Sequence, residues 1–249
     1  MKQLLFLSFI IAPLLSFSNG YQGLTNGVEE LRKKQKSMAT PDVPGNLTVD
    51  LGFNFLFNKA PAMQTKFWGS KSAGLYYTFQ LNPKGTFFSI NTGLGLGLEK
   101  YALEDDITLS TTEDATLGRV ATIDTLAASL NGKKSKIAAN YLEIPLEIRI
   151  YTNTTNREKG AYFSMGATAG ILYQSFTKVK FSENGVDSKV KNNTDFELNP
   201  FRATAIFRIG TRGFNVFYRF GITELFEDGK GPNGAKTKFN TFGISFIGF

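Results

Sequence analysis

The chain has 249 residues, 25 of them Gly and 24 Phe, with neither Cys nor His. Those two absences exclude disulfides, thiolate chemistry, a Ser–His–Asp triad, a Cys–His pair and His- or Cys-ligated zinc. The formal charge of +7 raises nucleic acid and anionic lipid as partners, yet no basic cluster with interleaved aromatics stands out apart from "RKKQK" at Arg32–Lys36. That run reads as a solvated segment, and no nucleic-acid partner is expected.

Met1-Lys2, the apolar run Leu4 to Leu15 and the small-residue stretch "SFSNG" have the three parts of a secretory signal peptide, here residues 1–20. Ser16 and Ser18 fit the small-residue positions before cleavage, with Gly20 as a later option. The apolar run is too short to cross a bilayer as a helix, and no later run reaches the roughly 18 apolar residues that would. An exported chain follows. Residues 21–46 differ from the rest: "VEELRKKQKSM" suits a short helix and "TPDVPGN" a turn-rich connector. We read them as a periplasmic N-terminal extension.

From Leu47 onward, apolar and polar residues alternate with a period of two, the signature of half-buried strands. The pattern predicts eight: Leu47–Asn58, Ser72–Leu81, Thr86–Tyr101, Ile137–Tyr151, Ala161–Phe176, Phe196–Gly210, Phe214–Phe226 and Lys238–Phe249. Connections alternate between short (Asn82–Gly85, Thr152–Gly160, Thr211–Gly213) and long (Lys59–Lys71, Ala102–Lys136, Thr177–Asp195, Glu227–Thr237). Short turns at one end and long loops at the other are the layout of an outer-membrane barrel. An even strand count puts both termini at the short-turn, periplasmic end. The slightly negative mean hydropathy is compatible with this, because alternating strands average out.

Which face points inward is decided by the polar one. "YLEIPLEIRIY" sets Leu142, Ile144, Leu146, Ile148 and Ile150 against Glu143, Pro145, Glu147 and Arg149. Across the strands the polar face is rich in Gly, Ser, Thr and Asn. Its charges are Asp50, Glu99, Glu143 and Glu147 against Arg149, Arg202, Arg208 and Arg219, four acids and four bases, every base an Arg. Arg is the residue of buried bidentate pairing with carboxylates, whereas a water-exposed face carries Lys and Glu in quantity. The charges are therefore expected to fill a narrow lumen as a network, with Glu147 and Arg219 as the first candidate pair, and the apolar face to meet lipid. The fold class is all-β: an eight-stranded antiparallel transmembrane β-barrel over residues 47–249.

Other motifs are weaker. Gly93, Gly95 and Gly97 recur at a spacing of two with no helix after them, so they make room in a lumen rather than cradle phosphate. Pro145 sits mid-strand, where it cannot donate a ladder hydrogen bond, and predicts a bulge or a missing bond. Glu143 and Glu147 as paired acid and base would be the one catalytic reading, and lumen salt bridges account for them better. "LEDD" (Leu103–Asp106) and "TED" (Thr112–Asp114) lack a calcium-loop spacing and read as solvated acids. No catalytic residue, metal or cofactor is expected.

The runs "NYLEIPLEIRIY", "GLGLGLEKY" before a long loop and the terminal "FNTFGISFIGF" together resemble the PorT-like outer-membrane β-barrel family of Bacteroidetes. The resemblance covers about Leu47 to Phe249, and Phe249 looks like the terminal aromatic read by the barrel-assembly machinery. It implies an integral outer-membrane protein and, in some members, a part in type IX secretion or gliding. It offers no catalytic residue to carry over. Three functions stand open at this point: a structural or interaction component with partners at its long loops and N-terminal segment, a small-solute channel, and a soluble periplasmic ligand-binding barrel.

Overall fold

The computed structural model describes residues 45–81, 86–127, 129–153, 160–211 and 213–248. The expected leader, residues 21–44 of the extension and Phe249 lie outside the described residues, as do all of the first short connection (82–85) and parts of the other two (154–159 and 212).

In chain order the strands are β1 (Asn46–Phe57), β2 (Thr65–Lys66), β3 (Lys71–Gln80), β4 (Phe88–Leu103), β5 (Ile107–Asp114), β6 (Gly118–Thr125), β7 (Asn131–Tyr151), β8 (Ala161–Glu183), β9 (Val186–Asn192), β10 (Phe201–Thr211), β11 (Phe214–Gly221) and β12 (Lys238–Ile247). Eight of them, β1, β3, β4, β7, β8, β10, β11 and β12, form one antiparallel barrel. It closes because β12 pairs with β1 and β8 pairs with β10. The strands β5 and β6 make a separate hairpin, β9 extends β8 outside the barrel, and β2 is a short addition to β4.

The wall is polar inside and apolar outside. Leu51, Leu96, Ile144, Ile148, Ile171 and Ile244 are exposed, while Thr48, Asp50, Ser164, Thr204, Thr241 and Ser245 are buried. β-Branched and aromatic residues suit the pleat on either face, so the period of two alone made these strands. The choice of face follows from the surroundings of a membrane barrel, where lipid takes the outer row. At the long-loop end of β1, Phe53, Phe55, Phe67 and Trp68 stack into an outer aromatic cluster with ring centroids 5.0–5.6 Å apart. Such aromatics mark the edge of the lipid belt.

Pro145 behaves as its chemistry requires. Its pairing with Thr168 on β8 is intact, but the ladder to β4 lapses between Thr92–Leu146 and Gly95–Glu143 and resumes in the same register. The Thr92 hydroxyl donates to the Pro145 carbonyl at 2.9 Å across the gap. A bulge lies further along instead. Asn140 faces Gln174 while Tyr141 faces Leu172, which leaves Tyr173 as the extra residue of β8.

The long connections depart from the sequence expectation. β7 and β8 run past the predicted strands, and β8 turns into β9 through Asn184-Gly185, both at positive φ, a two-residue hairpin turn. The strand expected from Phe196 begins at Phe201, because Phe196 and Glu197 sit at φ 52° and 55°. The strand expected to reach Phe226 stops at Gly221, and Leu225 and Phe226 turn inward over the barrel. Phe196, Leu198, Leu225 and Phe226 join Met63, Leu109, Ala121 and Phe239 in one buried apolar cluster. The four long connections thus form a folded cap on the long-loop end.

Candidate functional site: the lumen network and its cap

The lumen is built from the inward phase of every barrel strand. β1 supplies Asp50 and Asn54, β4 supplies Glu99, and β7 supplies Glu143, Glu147 and Arg149. β10 supplies Arg202 and Arg208, and β11 supplies Arg219. All are buried.

Arg208 is the central clamp. Its Nη1 and Nη2 each donate to Asp50 at 2.8 Å, in a bidentate fork, and its Nε donates to Glu147 at 3.0 Å. The Ser245 hydroxyl donates to the same Asp50 oxygen, Oδ1, at 2.5 Å. Arg149 lies 3.6 Å from the other Glu147 oxygen. Deeper toward the cap, Arg202 donates to Glu99 at 2.9 Å and stands 3.7 Å from Glu143. Arg219 joins the two halves, 3.3 Å from Asp50 and 3.6 Å from Glu99. The structure therefore brings all eight predicted charges into one connected set. Glu147 and Arg219 are not partners: Glu147 meets Arg208 and Arg149, and Arg219 meets Asp50 and Glu99. Both lie near mid-strand, but a mid-strand position does not fix which partner lies across the lumen.

Aromatic and hydroxyl groups, not among the charges expected from the sequence, complete the packing. The Tyr76 hydroxyl accepts from Arg219 at 2.9 Å and donates to Glu143 at 2.6 Å. Arg202 lies over the rings of Tyr141 (4.8 Å) and Phe239 (4.2 Å), and Phe217 lies between Arg208 and Arg219. A guanidinium against an aromatic face keeps attraction where water is excluded. The usable signal was phase, since Tyr76 alternates with Ser72, Gly74 and Thr78, all inward. The glycines of β4 make room: a Cβ on Gly95 would meet the Tyr76 ring at 2.2 Å, and one on Gly97 the Glu143 carboxylate at 2.7 Å.

Chemically, four carboxylates and four guanidiniums neutralise each other in a closed volume. Glu143 and Glu147 are each engaged by Arg and a hydroxyl. Three of the loop acids are engaged as well: Lys66 pairs with Glu104 and Asp105, and Asp114 accepts the backbone N–H groups of Thr116 and Leu117. Those two N–H groups hold the Asp114 carboxyl below its ordinary pKa. Among the described residues no cluster of acids has a metal-binding arrangement.

The cap is tied by Glu197. Arg119 of β6 donates its Nε to Glu197 at 2.5 Å and also pairs with Asp195, while Lys230 donates to Glu197 at 2.8 Å. Backbone bonds from Ala121 to Lys230 and from Glu227 to Glu197 stitch the same loops.

A closed barrel with an apolar exterior and a charge-neutral, side-chain-filled lumen defines a class, the small outer-membrane β-barrel. The chain belongs to the outer membrane protein beta-barrel domain family, whose model matches residues 43–227. Membership puts the protein in the bacterial outer membrane. No curated protein matches the sequence. Among solved structures, Ail, the attachment invasion locus protein of Yersinia pestis, is 11% identical with a TM-score of 0.35, covering 82% of this chain and 99% of its own. Neisserial surface protein A is 10% identical at 0.35, covering 82% and 96%. The translocator domain of the autotransporter NalP from Neisseria meningitidis is 10% identical at 0.18, covering 90% and 96%. At these scores the likenesses carry no inference about function.

Proposed function

We propose that this protein is a non-enzymatic structural or interaction component of the outer membrane, with its cap outside the cell and both termini in the periplasm. The observation that carries the reading is the filled interior. A solute path needs continuous water, and here Asp50, Glu99, Arg219, Ser164 and Thr241 are each at most 1 % exposed. The cap's apolar cluster lies over the same end. An eight-stranded barrel has an interior just wide enough for side chains to fill. Catalysis by Glu143 and Glu147 finds no support either, since both carboxylates are spent on lumen partners.

The PorT-like resemblance of "NYLEIPLEIRIY", "GLGLGLEKY" and "FNTFGISFIGF" supports a place in a type IX secretion or gliding apparatus. The folded cap and the N-terminal segment would be its contact surfaces, as function concentrates on loops held by a rigid scaffold. Lipid and the barrel-assembly machinery, the latter through Phe249, are the remaining partners of this reading.

Reconstitution in planar bilayers tests the sealed lumen: no steady conductance is expected, and a reproducible ohmic step would establish the small-solute channel. Deletion of the gene tests the process, through loss of type IX cargo in the medium. Unchanged secretion and gliding would remove that assignment. Protease on intact cells should cleave a site placed in the β5–β6 hairpin and spare one placed after Phe249.

A further inference from the structure

Three K-x-K segments, Lys134–Lys136, Lys178–Lys180 and Lys189–Lys191, lie far apart in the sequence. The ladders bring them together. Lys134 stands opposite Lys180 and Lys136 opposite Lys178; in turn Lys180 stands opposite Lys189 and Lys178 opposite Lys191. The result is a grid two lysines deep across β7, β8 and β9. On β7 the alternating residues Ser135 and Ile137 are buried, so Lys134 and Lys136 share the outer phase of Leu142 and Ile144. On β8 the extra residue Tyr173 switches the phase, which turns Lys178 and Lys180 outward as well. The grid therefore continues the lipid-facing surface beyond its apolar rows.

Like charges set directly opposite one another destabilise a ladder, and this grid is built of such pairs. Among the described residues none of the six forms an ion pair. The hairpin's Asp187, one step nearer the tip, is held by Lys133. The crowding is felt chemically: Lys189 against it lowers the Lys178 pKa, and partial burial, then Lys100 and Lys178, lower that of Lys136. Such a surface is completed by an anion.

The neighbouring surface says what kind. An outer furrow of about 550 Å³ runs from Leu51 and Ile244 past Ala73, Leu98 and Ala138 to Phe176. Its floor is low where Ala73 stands between Leu51 and Leu98, and where Ala138 stands between Lys100 and Phe176. Lys71 and Lys100 line its rim, and the Lys191 ammonium sits 4.1 Å from the centre of the Phe176 ring, joining furrow to grid. An apolar furrow alone would take any chain, and a lysine grid alone any soluble polyanion. Cations in two tiers, at the furrow rim and beyond it, fit an amphiphile with a large headgroup.

We propose that this face binds a membrane lipid whose headgroup carries more than one phosphate, with an acyl chain in the furrow, one phosphate at Lys71 and Lys100, and another on the lysine grid. This rests on the reading that the cap end faces out of the cell, so the lipid belongs to the outer leaflet. Lysine suits the position, since its stem covers apolar surface while its ammonium reaches the headgroup.

The test uses the full barrel in zwitterionic micelles, with the gel shift between boiled and unboiled samples confirming that each variant folds. That shift also tests the barrel reading separately from the lipid. Native mass spectrometry compares bisphosphorylated lipid A, its dephosphorylated form and soluble inositol hexakisphosphate. Bisphosphorylated lipid A should bind at least about tenfold more tightly than the dephosphorylated form, and the variant K136Q/K178Q/K180Q/K191Q should lose about that factor. Filling the furrow with Ala138→Trp, or with Ala73→Phe if the first does not fold, should weaken the lipid and leave the hexakisphosphate unchanged. Equal binding of the two lipid forms would overturn the proposal. So would hexakisphosphate binding as tight as the lipid's with no effect of the furrow variants, which would make the grid a site for soluble polyanions.

Discussion

Arg219 and Phe226 lie seven residues apart, and each is 1 % exposed. One is buried in the barrel wall among carboxylates, the other in the cap among Met63, Leu198 and Leu225. Outside them the contrast reverses. The wall shows Ile148 and Leu146 to its surroundings, while the cap shows Arg119, Asp195 and Lys236. Strands serve both, since the cap holds the β5–β6 hairpin, which buries Leu109 and Ala121 in its apolar cluster. What differs is the solvent. In water an apolar face gains by being buried. In lipid it gains nothing by leaving, and the polar face must find its partners inside. The reversal between Gly221 and Leu225 therefore marks where the membrane ends.

The largest effect should come from inside the wall. Replacing Arg208 by Gln strips both Asp50 and Glu147 of their closest cation, and breaking a buried pair in this way costs on the order of 3–5 kcal/mol. Asp50→Asn should cost a similar amount, and the double variant less than the two added. Urea unfolding in lipid vesicles measures all three. Strict additivity would mean the charges are solvated singly and the lumen is wet. The next effect compares two exterior residues of nearly equal exposure, Ile148 at 45 % and Leu117 at 48 %. Ile148→Arg should cost roughly 2–4 kcal/mol if it lies near the bilayer midplane, and Leu117→Arg within about 0.5. Equal costs would erase the distinction between a wall in lipid and a cap in water.

A smaller, local effect belongs to the cap. Glu197→Gln weakens the ties to Arg119 and Lys230 that join three loops. The amides of Ala121 and Glu227, which bond across those loops, should then exchange with deuterium faster, while the wall amides of Ile144 and Leu146 keep their rate. Faster exchange throughout would show that cap and wall unfold as one unit.

The wall was legible because its alternation is long and its charges are balanced: four acids against four Arg on one phase point inward in any closed barrel. Partner choice was not legible. The pairing of Arg208 with Asp50 depends on the stagger of β1 against β10, two strands that are not neighbours. The cap was missed for a different reason. Phe196, Leu198, Leu225 and Phe226 adjoin alternating runs, so the expected strands ran on through them, although Phe196 and Leu198 are one residue out of phase with Phe201 and Leu225 sits beside Phe226. At the first of these ends the positive φ at Phe196 and Glu197 turns the chain away. The Asn184-Gly185 hairpin, by contrast, carried a local signal in its own two residues. The lysine grid was hidden because its K-x-K parts are harmless alone and crowd one another only once the strands pair.

The smallest effect tests the backbone of the two regions through their prolines. In the wall, Pro145 interrupts the ladder to β4. In the cap, Pro232 opens a 3-10 turn (Pro232–Gly234), where a missing N–H costs nothing. Pro145→Ala restores a donor facing β4, and a hydrogen bond made there contributes about 0.5–1.5 kcal/mol net. The same change frees the unfolded chain, which takes back about 0.4–1 kcal/mol. The two nearly cancel, so the unfolding midpoint should barely move, while the amide gained at position 145 should be protected from exchange. Pro232→Ala has only the second effect, together with lost burial, and should destabilise the cap without adding a protected amide. An unprotected amide at position 145 would mean that β4 and β7 are held apart there by packing, with Thr92 bridging to the carbonyl as a consequence of the gap rather than as compensation for the proline.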